Sequence, residues 1–178
     1  MHSAGKTALA IEYAKRNKFV YHYELGRKLH DEVDYHSLTS FDEYETELMR
    51  RELQRDLEIL NNSSIPIVET WHPGDMAYAT QRAPKVLRVW KDTFYNTLTK
   101  FDPICVLIQI TDKTFRKRAI QGEIMEDFEA MLTFYKEIIQ TTVQLYHEFN
   151  IPYIEISNDG KFEETFVEVS KQLKEYNR

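Results

Sequence analysis

The sequence predicts an α/β fold in three layers, a parallel sheet with helices on both faces. Two patterns carry that expectation. Short runs rich in β-branched and aromatic residues recur at Phe19–Tyr23, Ile65–Val68, Ile104–Ile110 and Ile151–Ile156. Between them lie longer stretches whose apolar residues repeat every three to four positions, so strand and helix alternate. A third observation fixes the sheet type: Ile104-Cys105-Val106-Leu107-Ile108-Gln109-Ile110 is apolar almost throughout, as a strand covered on both faces requires.

Taken in order, Thr7–Lys18 reads as a helix, with Leu9/Tyr13 and Ala10/Ala14 paired four residues apart. After the strand at Phe19–Tyr23, a helix is expected from Asp42 to Leu60, with a stripe of Tyr44, Leu48, Leu53, Leu57 and Leu60. Asn61-Asn62-Ser63-Ser64 stops it, and the strand Ile65–Val68 ends at Glu69. Residues Thr70 to Ala79 contain Pro73-Gly74 and read as a turn, followed by a helix over Ala83–Lys100 that Asp102-Pro103 closes. Ile124, Phe128, Met131, Tyr135, Ile138, Leu145 and Phe149 mark a long amphipathic helix, read as a packed core helix in preference to a coiled coil. The last helix shows Phe162, Phe166, Val169, Leu173 and Tyr176 on one face.

Composition narrows the function classes. The chain has 178 residues, 42% of them hydrophobic and 13% aromatic, with 5 Gly and 5 Pro, which excludes disorder and fits a single domain over residues 1–178. Its net charge of −6 argues against nucleic-acid or anionic-membrane binding. The single Cys105 rules out an internal disulfide and fits a reducing, cytoplasmic setting. No apolar run reaches the length of a membrane span, and Met1-His2-Ser3 does not open a signal peptide.

Chemistry is concentrated at the start. Ser3-Ala4-Gly5-Lys6-Thr7 opens the first helix and matches the second half of the phosphate-binding pattern G-x-x-x-x-G-K-[ST], with Met1 to Ala4 in the variable positions. Gly5 lets backbone approach a phosphate, the helix N-terminus presents oriented N–H groups, and Lys6 reaches the outer phosphates. Thr7 offers a hydroxyl to Mg²⁺. The first glycine of the pattern, and the strand that feeds such a loop, would precede Met1, so the sequence reads as an N-terminally shortened copy.

Further candidates stand at strand ends, where ligands gather in open α/β sheets. Glu69 is placed either to organise Mg²⁺ or to sit as a solvated strand-end carboxylate. Glu24 is a candidate general base or hydroxyl grip, with Arg27 one helical turn on to bind an anion; a structural Glu–Arg pair is the alternative. His72, Asp75 and Arg82, with Trp71 and Tyr78, form either an acceptor wall or part of the core. His22, His30, Asp31, Asp34 and His36 have no convincing metal-ligand spacing and read as solvated. Asp112–Arg118 carries four cations in seven residues and reads as a mobile basic segment, in which Arg116 and Arg118 would stabilise transition-state charge. Ser157 and Asn158 lie in a loop expected beside a purine ring.

Gly5-Lys6-Thr7, Glu24-x-x-Arg27, Glu69 and Arg116/Arg118, in that order, resemble the nucleoside and nucleotide kinase branch of the P-loop NTPases. That branch includes thymidylate-kinase-like and deoxynucleoside-kinase-like proteins; the chain is also similar to the AAA-type ATPase-like domains related to ribosylnicotinamide kinases. The resemblance implies a P-loop NTPase fold, ATP as phosphoryl donor, Mg²⁺, and a small acceptor such as a nucleoside or nucleotide. Lys6 and Thr7 would serve phosphates and metal, Glu24 the acceptor, Glu69 the metal, and Arg116 or Arg118 the developing charge. Two departures stand out. Thr70 follows Glu69 where the family usually has Arg, and the strand that would lie between the strands at 65–69 and 104–110 is absent. A nucleotide-binding regulatory ATPase or GTPase module, and a degenerate scaffold without catalysis, are the rival readings.

Overall fold

A computed structural model of the chain describes residues 4–32, 40–121 and 127–176. Ser3, Asp34, His36 and Ile124, all named above, lie outside the described residues. The elements run α1 (Lys6–Asn17), β1 (Val20–His22), α2 (Leu25–Glu32), α3 (Phe41–Leu60), β2 (Pro66–Val68), α4 (His72–Arg82), α5 (Pro84–Leu98), β3 (Cys105–Gln109), α6 (Asp112–Gln121), α7 (Phe128–Glu148), β4 (Tyr153–Ser157) and α8 (Phe162–Tyr176). The chain divides into two compact units, residues 1–17 with 103–178, and residues 18–102.

The first unit is built on β3 and β4, which pair in parallel from Cys105 opposite Tyr153 to Gln109 opposite Ser157. Ile108 and Ile156 point into a core shared with Leu9 of α1, Phe115 of α6, Leu132 of α7 and Phe166, Val169 and Leu173 of α8. Burying these side chains contributes about 1.5–3 kcal/mol each. α7 is capped by Asp127, whose side chain accepts from the Ala130 N–H. Its buried residues include Leu132, Ile138 and Leu145, the face of a packed helix.

The second unit pairs β1 with β2, also in parallel, from Val20 opposite Pro66 to His22 opposite Val68. Around them α2 to α5 bury Leu25, Leu29, Leu48, Met76, Trp90 and Phe94. α3 starts at Ser40, whose hydroxyl accepts from the Glu43 N–H.

Three expectations are corrected here. Residues 72–82 form a helix, because Pro73 sits in the first turn, where its missing N–H costs nothing and its fixed φ suits the helix. The turn is confined to Thr70, at φ 53°, and a Cβ on Gly74 would lie 2.9 Å from the Thr70 methyl. The basic segment Asp112–Arg118 is helical, part of α6, held by Phe115 and Ala119 at 1% and 0% exposure. The stripe of α3 is also rotated: Leu57 and Leu60 are exposed, while Glu45, Glu52, Arg55 and Asp56 are buried.

Candidate functional site

In the first unit, Gly5 adopts φ +83° and turns the chain into α1, whose first internal bond runs from the Leu9 N–H to the Gly5 carbonyl. The N–H groups of a helix's first turn have no intrahelical acceptor, so this end is suited to an anion. Lys6 and Thr7 are the first two residues of α1 and are half-buried. Ala4 is buried, and its carbonyl accepts from Asn158 Nδ2 at 2.6 Å.

Asn158 and Ser157 follow β4 beside this turn. Asn158 is buried, and Ser157 donates to Asp159 at 2.9 Å. Burial works to raise the Asp159 carboxyl, yet hydrogen bonds from Thr114, Thr111 and Ser157 hold it at about 2. The two arginines of α6 take different surroundings. Arg118 donates to the Asn158 carbonyl at 2.7 Å, whereas Arg116 pairs with Glu129 and lies 4.4 Å over the Phe128 ring.

In the second unit, Glu24 stands just past β1 and pairs with Arg27 at 3.1 Å. Glu69, just past β2, is 4% exposed; its backbone N–H donates to the His22 carbonyl and its Oε2 accepts from Tyr21 Oη at 2.5 Å. The adjoining strands β1 and β2 therefore bring Glu24 and Glu69 to the same end of their pair.

His72, expected in an acceptor wall, belongs to the core. It is 0% exposed, and both ring nitrogens are engaged: Nδ1 by Trp90 Nε1 at 2.8 Å and Nε2 by Asp56 Oδ2 at 2.9 Å. Trp71 packs edge-on against Phe94 and Phe101 and donates to Asp56 Oδ1, so it too fills the core. Asp75 is buried, and neither its Oδ2 nor Oε1 of Glu52 meets a donor. Burial raises both carboxyls, Asp75 well above the usual range, and the Glu52 carboxylate adds to the rise at Asp75.

Sequence reading missed Glu45. It is 0% exposed, neither carboxylate oxygen has a hydrogen bond, and burial pushes its carboxyl up to about 7 against the pull of Arg82. Arg82 Nη1 stands 3.7 Å from Glu45 Oε1, with its guanidinium 5.0 Å over the Tyr78 ring. A nearby cavity of about 230 Å³, lined by His22, Lys28, Arg50, Arg51 and Arg55, was also missed, but its guanidinium groups already pair with Glu47, Glu32 and Glu52.

No family model and no curated relative matches the chain. Solved structures do. Deoxyadenosine kinase from M. mycoides, with products dCMP and a flexible dCDP bound, superposes with a TM-score of 0.59 at 13% identity, covering 97% of this chain and 94% of that one. The same enzyme with bound dCTP gives 0.54 at 14% identity, over 98% and 96% of the two chains. Thymidylate kinase from Ehrlichia chaffeensis gives 0.56 at 14% identity, over 97% and 94%.

The fold is that of the P-loop nucleoside and nucleotide kinases. In this kinase-like fold the Gly5-Lys6-Thr7 turn opens the first helix of the described chain. Among the described residues no helix is long and apolar enough to cross a membrane.

Proposed function

We propose that the chain is an ATP-dependent phosphotransferase acting on a nucleoside, a nucleotide or a similar small acceptor. The observation that carries this reading is the Gly5 turn at φ +83° leading directly into Lys6 and Thr7 at the N-terminus of α1, within a nucleoside-kinase fold. On this reading residues 1–178 act as one kinase domain in a reducing, cytoplasmic setting, in keeping with the lone Cys105.

The γ-phosphoryl group passes from ATP to an acceptor oxygen. A bond forms between that oxygen and phosphorus, the bond to the β-phosphate oxygen breaks, the acceptor proton is released, and ADP leaves. Lys6 neutralises the outer phosphates, and Arg118 and Arg116 face the charge that spreads over the equatorial oxygens. Glu24 takes or orients the acceptor proton, with Arg27 fixing its carboxylate. The Thr7 hydroxyl is a hard oxygen donor of the kind Mg²⁺ accepts, and the ion would supply charge neutralisation on the phosphates; in the second unit the Glu69 carboxylate is a donor of the same class.

The deoxynucleotides and thymidylate of the structural neighbours make deoxynucleosides and their monophosphates the first acceptors to try. The test is a coupled ADP assay with Mg·ATP and each acceptor in turn. Turnover with at least one of them supports the reading; nucleotide binding without turnover on any acceptor supports the regulatory alternative.

A further inference from the structure

We propose that Asn158 is a positioning residue that sets the geometry of the phosphate loop and seats Arg118, instead of touching the nucleotide. The proposal rests on the kinase reading only for what the loop binds. Asn158 is 5% exposed, and its polar groups are engaged on four sides. Its backbone N–H donates to the Gln109 carbonyl at 2.8 Å, which fixes it at the end of the β3–β4 pair. Thr165 Oγ1 of α8 donates to its Oδ1 at 2.8 Å, and its Nδ2 donates to the Ala4 carbonyl at 2.6 Å. Its own carbonyl accepts from Arg118 Nη2 at 2.7 Å.

The order of these bonds matters. The Ala4 carbonyl can only accept, so the amide turns its NH₂ end to it, and Oδ1 is left to accept from the Thr165 hydroxyl. Holding the Ala4 carbonyl fixes the peptide that enters Gly5, the residue whose positive φ starts α1. The same NH₂ group also forbids a side chain there, since a Cβ on Gly5 would stand 2.5 Å from Asn158 Nδ2. One residue thus ties the turn before Lys6 to the arginine of α6. A buried side chain occupied in this way has no edge left for a purine, the role the sequence suggested.

Asn158→Asp tests the idea, because it replaces a donor by an oxygen facing the Ala4 carbonyl. Hydrogen exchange and Mg·ATP affinity are to be measured on the whole chain with and without the substitution. Exchange over residues 4–9 is expected to rise about tenfold with α7 unchanged, and ATP affinity to fall about tenfold, the equivalent of one lost buried hydrogen bond. Unaltered exchange over residues 4–9 would overturn the proposal, as would faster exchange with full ATP affinity. Faster exchange when neither protein binds ATP would uphold the positioning role and count against the kinase reading. Thr165→Val leaves Asn158 in place and removes the donor that holds its Oδ1. It should shift both readouts the same way by less, and it decides the matter if Asn158→Asp does not fold; no change in either readout with Thr165→Val would then overturn the proposal.

Discussion

Trp90 donates its indole N–H to Nδ1 of His72 at 2.8 Å, and that single bond fixes the protonation of the buried imidazole. Indole is only a donor, so Nδ1 must be the acceptor and the proton sits on Nε2, pointed at Asp56. Asp56 in turn accepts from Trp71 on its other oxygen. Helices α3, α4 and α5 are thereby joined in a chain through the Asp56 carboxylate and the His72 ring. Asp56→Asn should cost about 1–3 kcal/mol, because an amide accepts on one atom only and sets an NH₂ group against the second donor. Urea unfolding of the two proteins measures this, and equal midpoints would contradict the assigned tautomer.

Glu45 gives a pH dependence of defined sign. Its carboxyl is raised from 4.5 to about 7, first by burial, so the folded chain holds a proton that the unfolded chain has released between those values. The associated stability is fully present below pH 4.5 and is lost as pH rises to about 7, by roughly 3 kcal/mol at 1.36 kcal/mol per unit. Glu45→Gln should flatten this part of the curve and leave the variant more stable than the parent at pH 8. Parallel stability–pH curves for the two proteins would show that Glu45 is not the group responsible.

Lys6→Ala should abolish Mg·ATP binding or turnover while leaving the unfolding midpoint nearly unchanged. Lys6 is half-buried in the first turn of α1 and is not one of the apolar core residues, so truncating it leaves that core as it is. Calorimetric titration is the direct check, and full affinity in the variant would remove the phosphate role of the loop.

The two arginines of α6 are expected to differ. Arg118 is bonded to the carbonyl of Asn158, the residue whose amide holds the Ala4 carbonyl, whereas Arg116 is engaged by Glu129 and Phe128. Arg118→Ala should therefore lower kcat by about tenfold or more with a smaller change in ATP affinity, and Arg116→Ala should lower it less. Equal kcat values in the two variants would argue against the assignment.

Much of this architecture could be read from the chain. The four strands described were legible because each is a short apolar run between turn signals, and of the α8 stripe Phe166, Val169 and Leu173 are buried while its ends, Phe162 and Tyr176, are exposed. α4 was hidden by Pro73-Gly74, which signals a turn locally yet starts a helix when Pro occupies the first turn. The inward face of α3 was hidden for a different reason. Glu45, Glu52 and Asp56 look like a solvated face in sequence, and it is Arg82 and His72 of α4, with Arg55 one turn along α3 itself, that make their burial tolerable. Asn158 was picked out for its place after a strand, but its role depends on Ala4, distant in sequence and adjacent in space.

The most direct test of the central claim is ADP formation from Mg·ATP by the purified chain, measured with and without a nucleoside or nucleotide acceptor. A phosphotransferase produces ADP in step with phosphorylated acceptor and little without it. ADP formation that no acceptor alters, or no nucleotide binding at all, would contradict the account.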